Sequence, residues 1–171
     1  MPNRIFTGVG DEGFTSTWGG GRVPKDDAVI ELNGAIDFLL SGLDIARLNN
    51  DKPYIRELID YVERKLWQLG GEVSLIGKPS AEKELKDPIT EEDIKIIEEK
   101  ISALGAPPST FMRFRASGAV YINECRVRSR YVERNMTRYM RAYDIRKETY
   151  VFINRLSDLL FMMAVRLESE K

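Results

Sequence analysis

Histidine is missing from all 171 residues. Its absence removes Ser-His-Asp and Cys-His catalysis, histidine-ligated zinc, and the di-iron bundles built on Glu-x-x-His. The single cysteine, Cys125, cannot form an intrachain disulfide. Neither sign of charge dominates: the net charge is −1, so bulk charge does not hold this chain to nucleic acid. No apolar run approaches the length of a membrane span, and no apolar segment follows the N-terminus as in a secretory leader. The expectation is a cytoplasmic protein with neither membrane nor nucleic acid as partner. Whatever chemistry it performs must be carried by guanidinium, carboxylate and amide groups, or by a bound molecule.

What is present is a charge-rich globular composition, 43% hydrophobic and 31% charged, in a chain long enough for one sizeable core. The expected organisation is one helical domain over 1–171 with a glycine-rich N-terminal arm over about 1–24. The most informative stretch lies between Gly118 and about Arg141. Apolar or small residues recur there at Ile122, Cys125, Ser129, Val132, Met136 and Met140, in steps of three and four, which predicts an amphipathic helix. On that helix Arg126, Arg130 and Glu133 fall within roughly 60° of one another at the edge of the apolar stripe. Arg134 sits a little further round. A planar, forked, permanently charged guanidinium suits phosphate oxygens. The carboxylate can orient the arginines or help hold a metal ion. The competing reading is a solvated face of i,i+4 ion pairs. Cys125 lies on the apolar stripe and is expected as a buried structural thiol.

In the arm, Gly8, Gly10, Gly13 and the run Gly19-Gly20-Gly21 allow tight turns, and Asp11, Thr7 and Thr15 supply polar groups. That set suits phosphates and magnesium, although no Walker A Gly-Lys-Ser/Thr is present. A flexible arm read as loop, without strands, is the plainer expectation. Asp26 and Asp27 then predict a helix start, with Val29, Leu32, Ile36, Leu39, Leu43 and Ala46 as its stripe and Asp37 beside it. A second helix is predicted over about 54–75. A surface loop follows over 77–89. Thr90 with Asp93 predicts a capped third helix that ends at Gly105-Ala106-Pro107-Pro108. Ser109 to Arg115 carries Phe111 and Phe114, which either line a ligand cavity or plug the bundle. The last helix is predicted over about 147–168, where Asn154, Asp158 and Phe161 share one line. The expected fold class is all-α, a five-helix up-and-down bundle of the left-handed, ferritin-like kind.

Several of these stretches together resemble the PduO-type ATP:cob(I)alamin adenosyltransferases. Thr7, Gly10-Asp11, Gly13 and Thr15 are similar to the family's Thr-x-x-Gly-Asp-x-Gly-x-Thr loop. Lys25, followed by Gly34 and Asp37, resembles its entry to helix one. Leu66 to Glu72 resembles its Leu-Phe-x-Leu-Gly turn. Arg126, Arg130, Glu133 and Arg134 resemble its Arg-x-x-x-Arg-Arg-x-Glu-Arg signature. Asn154 to Phe161 resembles Asn-x-Leu-Ser-Asp-x-Leu-Phe. The motifs follow the family's order along nearly the whole chain.

The resemblance implies a transferase that moves the 5′-deoxyadenosyl group of ATP onto Co(I) of a corrinoid, giving adenosylcobalamin and triphosphate. It implies a homotrimer with sites between subunits, ATP and a corrinoid as substrates, and Mg2+ with the ATP. A corrinoid reductase or a B12-dependent enzyme is the implied further partner. Carried over by position, Thr7, Gly10, Asp11, Gly13, Thr15 and Lys25 wrap the triphosphate, and Arg130, Glu133, Arg134 and Asn154 complete the nucleotide site. Glu133 is the implied magnesium residue. Arg130, Asp37 and Arg126 bear on catalysis, Asp37 pairing with Arg126 across the subunit boundary. Phe111, Phe114, Asp158 and Phe161 fall on the corrinoid side, where the family uses an aromatic to drive off the lower axial ligand of cobalt. The chain departs from the pattern at Gly8, Phe38, Leu40 and Tyr131, and it lacks the Pro-Gly-Gly turn before helix four. The alternative reading is a divergent, non-catalytic trimeric bundle that binds ATP or a corrinoid. A purely structural bundle is a third.

Overall fold

The computed structural model describes residues 6, 8–75, 85, 87–110 and 112–170. Five helices carry it: α1 (Ala28–Leu48), α2 (Pro53–Ser74), α3 (Glu91–Ala103), α4 (Ser117–Tyr139) and α5 (Lys147–Ser169). Each stands where the apolar period placed it, because its stripe has a partner to bury against. Helix α4 lies between α1 and α5, α2 flanks α1, and α3 flanks α5. Tyr61 of α2 packs edge-on against Phe152 of α5 and closes the bundle. Leu32, Leu39, Leu43, Leu66, Ile122 and Phe152 are fully buried at its centre. Among the described residues no helix is long and apolar enough to cross a membrane.

Two details differ from the sequence reading. Met140 was expected on the α4 stripe, yet it is exposed, while Tyr139 is buried. The helix ends at Tyr139, so Met140 leaves the periodic face. The arm is also more than loop. Strands β1 (Phe14–Ser16) and β2 (Arg22–Pro24) pair antiparallel, with Thr15 opposite Val23. Three residues are too few to display a two-residue period, so the strands left no pattern to read. Their turn is closed by Thr17 N–H on the Gly21 carbonyl at 2.8 Å, with Gly20 at φ +88°, a conformation that glycine adopts without strain. Gly19 N–H docks the hairpin on the Ser74 carbonyl at the end of α2, at 3.0 Å. The loop expected over 77–89 falls mostly outside the described residues.

The helix starts show how the bundle fixes its own register. The Asp27 side chain caps α1 by accepting from Val29 N–H at 3.0 Å. It also accepts from the Tyr143 hydroxyl, at 2.9 and 3.0 Å to its two oxygens. Thr90 and Asp93 form the expected capping box at α3. Helices α4 and α5 have no side-chain cap of their own at Ala116 and Arg146. Glutamates from other helices act there instead. Glu168, at the end of α5, accepts from the N–H groups of Arg115 and Ala116 at 2.7 and 2.8 Å. Glu72 of α2 accepts from the Thr149 hydroxyl at 2.8 Å and from Arg146 Nε at 3.3 Å, at the start of α5. A carboxylate at a helix N-terminus satisfies orphan N–H groups and complements the dipole.

One ion cluster gives a pH dependence. Glu170 accepts from Lys52, Arg166 and the Tyr54 hydroxyl, which ties the end of α5 to the α1–α2 junction. These donors, Lys52 first, hold its carboxyl at about 2, below the ordinary 4.5. A folded-state value below the unfolded one means the contribution is complete above 4.5 and lost as pH falls toward 2. Glu170→Gln should therefore lower the melting temperature at neutral pH, and the gap to wild type should close as the pH falls through that window. A gap of equal size at both ends of the window would remove Glu170 as its source.

Candidate functional site

Helix α4 positions most of the charged groups. Three guanidiniums, of Arg126, Arg130 and Arg134, and one carboxylate, of Glu133, recur at its edge. The structure brings Arg130, Glu133 and Asn154 together. Glu133 Oε1 accepts from Asn154 Nδ2 of α5 at 3.3 Å, and Arg130 Nη1 stands 3.8 Å from Glu133 Oε2. The Glu133 side chain is only 16% exposed, whereas Arg130 is 52% exposed. The carboxylate is thus held between the helices while the guanidinium reaches outward, free to take an anionic ligand. The Arg134 guanidinium lies 5.8 Å from the centre of the Tyr131 ring, which neighbours Arg130 on α4.

In the arm, Lys25 organises the glycines. Its N–H donates to the Gly13 carbonyl at 2.9 Å, and its ammonium packs over Gly10, where an added Cβ would lie 3.2 Å from Nζ. Gly13 has φ +81°. Asp11 N–H donates to the Gly8 carbonyl at 3.2 Å, and Asp11 is exposed. Thr15 sits half-buried on β1. Thr7, with Arg4 and Ile5 before it, lies outside the described residues. Among the described residues no hydrogen bond or ion pair joins this arm to the Arg130–Glu133–Asn154 group.

Asp37 and Arg126 do not meet within the chain. Arg126 lines a cavity with Phe161 of α5, and its Nε donates to Asn123 Oδ1 of α4 itself at 2.9 Å. Helix α1 also packs on α4. There Arg128 donates to the Phe38 carbonyl at 2.6 Å and to Glu124, and its guanidinium lies 3.9 Å from the centre of the Phe38 ring. The Arg128 side chain is 12% exposed and packs over Gly42, where a Cβ would come within 2.8 Å of Nη1. Asp37 is exposed, with no hydrogen bond or ion pair among the described residues. Sequence reasoning missed the Arg128 clamp. Its signal was a glycine in the middle of α1, which makes room for a side chain from a neighbouring helix.

Beside Arg126 an aromatic cavity of about 290 Å³ is lined by Met112, Phe114, Val120, Asn123 and Phe161. The Phe114 and Phe161 rings meet edge to face with centroids 6.1 Å apart. The segment before α4 is therefore cavity lining at Phe114. Phe111 lies outside the described residues. On the other side of Phe161 a groove of about 430 Å³ runs between α3 and α5, and Asp158 lines it. Cys125 is fully buried, and burial pushes its thiol up to about 12, so it is not a nucleophile. No group of three or more His, Cys, Asp or Glu side chains that could hold a metal ion occurs among the described residues.

The sequence and the fold have counterparts among known proteins. A family model described as cobalamin adenosyltransferase matches residues 5–167. A corrinoid adenosyltransferase of Citrobacter freundii is 33% identical over 165 residues, covering 94% of this chain and 93% of that protein. The Homo sapiens corrinoid adenosyltransferase is 31% identical over 171 residues, 94% of this chain and 67% of its own length. Among solved structures, a phenylalanine-to-alanine variant of the PduO-type ATP:corrinoid adenosyltransferase of Lactobacillus reuteri, complexed with cobalamin and ATP, has a TM-score of 0.85. It is 22% identical and covers 97% of this chain and 94% of that one. An arginine-to-lysine variant of that protein, complexed with ATP, has a TM-score of 0.84 at 24% identity, covering 94% and 92%. At such identities the likeness shows the fold.

Proposed function

The chain belongs to the cobalamin adenosyltransferase family, and from that premise we infer that it transfers the 5′-deoxyadenosyl group of ATP to Co(I) of a corrinoid. The Co(I) electron pair forms the Co–C5′ bond, the C5′–O bond breaks, and triphosphate leaves with the bonding electrons. The nucleophile belongs to the substrate, so a chain without histidine and with its one thiol buried lacks nothing the reaction requires. The protein's work is to orient ATP and to stabilise charge gathering on the triphosphate.

The observation that carries the reading is the outward-facing Arg130 guanidinium, backed by Glu133 and Asn154 and lying on the same helix edge as the aromatic cavity at Arg126. In this reading Arg130, Arg134 and Asn154 bind ATP, and Gly10, Asp11, Gly13, Thr15 and Lys25, with Thr7, wrap the triphosphate. Mg2+ commonly binds through one or two carboxylates plus substrate phosphates. Glu133 fits that donor set, where the ion would offset phosphate charge. Phe114 and Phe161 receive the corrin face. Anaerobic spectra of chemically reduced cobalamin with ATP, magnesium and the protein test the activity. Adenosylcobalamin should grow in at a rate proportional to protein concentration. ATP or corrinoid binding without that growth would leave the divergent, non-catalytic bundle.

The same proposal makes the enzyme a cytoplasmic homotrimer of single-domain subunits. The arm of one subunit meets the α4 cluster of the next, and Asp37 meets Arg126 across the boundary. Three observations support it: among the described residues no hydrogen bond or ion pair joins the arm to the cluster, none engages Asp37, and Phe38, Ile45, Val127 and Tyr131 leave apolar surface exposed along α1 and α4. Light scattering at micromolar concentration should give three times the 19.6 kDa chain mass. A stable monomer would rule out sites shared between subunits.

A further inference from the structure

The groove between α3 and α5 shares Phe161 with the aromatic cavity as a common wall and contains none of the residues assigned above to ATP. At about 430 Å³ it is the larger of the two and lies within the range of small-molecule sites. Ile101, Pro107, Met162 and Phe161 give it apolar walls. Its polar groups are unevenly matched: Glu98 and Asp158 supply two carboxylates against the one guanidinium of Arg155. That balance repels a phosphodiester and accepts a flat, uncharged heterocycle. Arg155 Nε is held by Glu98 Oε1 at 2.9 Å, which leaves its remaining N–H groups to face a ligand acceptor.

A corrinoid carries such a heterocycle. Square-planar Co(I) keeps no lower axial ligand, so the base of the nucleotide loop must leave cobalt before the transfer. It then has an apolar ring to bury and a freed nitrogen lone pair that needs a donor. We propose that the α3–α5 groove receives this displaced base, with its ring against Ile101, Pro107 and Met162 and its freed nitrogen accepting from Arg155. The phosphodiester of the loop stays in solvent. The inference rests on the adenosyltransferase reading and adds a subsite that recognises the lower-ligand base.

Steady-state kinetics with two corrinoids test it: cobalamin, which has the base, and cobinamide, which lacks the nucleotide loop. The wild-type enzyme should show the lower KM for cobalamin. Ser102→Trp fills the groove from an exposed position on α3. It should raise the cobalamin KM about tenfold, the equivalent of losing one buried ring contact, and leave the cobinamide KM unchanged. Equal shifts for both corrinoids, or no shift for either, would overturn the subsite. So would a wild-type enzyme indifferent to the base, which tests the idea even if the variant fails to fold. If neither corrinoid is turned over, the activity itself has failed. Anaerobic calorimetry with the Co(I) forms of both corrinoids, without ATP, then decides the groove separately, and equal affinities reject it.

Discussion

Alanine at Asp37 and alanine at Arg126 should each weaken the trimer by about 3 kcal/mol, and the double variant should be no worse than either single one. Two residues on the flanks of separate helices would behave otherwise. Each truncation would cost within about 0.5 kcal/mol, and the two effects would add. Within one chain the second behaviour follows, since Asp37 has no hydrogen bond or ion pair among the described residues and Arg126 lines a cavity with Phe161 of α5. Pairing across a boundary changes the sign of the argument, because each truncation then leaves a desolvated charge unmatched. A charge swap, Asp37→Arg with Arg126→Asp, should recover the trimer but not turnover, since the carboxylate would then stand where phosphates approach. The measurement is a double-mutant cycle on trimer dissociation and on turnover. Small, additive effects in both would sink the pairing and the shared site with it.

Arg130→Ala should weaken ATP binding by about 1.5–3 kcal/mol, roughly 10- to 150-fold, with the fold intact. The structure separates these two effects. Arg130 is half exposed, and its ionic partner among the described residues, Glu133, stands 3.8 Å away, so a screened surface pair is what folding loses. Bound triphosphate would meet the same guanidinium with its charge and fork unspent. Arg130→Lys keeps the charge and loses the fork, so its affinity should fall between the two. Calorimetry with ATP reads both variants, and thermal melts check the fold. Unchanged ATP affinity in the alanine variant would return Arg130 to the solvated face of α4.

What the sequence determined by itself is local. The 3.6-residue period built all five helices, Thr90 and Asp93 capped α3, and Cys125 on the stripe read as a buried thiol, because each depends on neighbours within a turn or two. The missing histidines limited the chemistry without any geometry. The arginine edge of α4 was legible for the same reason, since angles around one helix follow from spacing alone. Tertiary structure decided what depends on how helices face one another. It set Glu133 against Asn154 and Arg126 beside Phe161. It fitted Arg128 over Gly42 and used Glu72 and Glu168 to cap α5 and α4. Each of these joins residues far apart in the chain, and its existence turns on the rotation and register of two packed helices. A one-residue change in either would carry a side chain about 100° round its helix and out of reach.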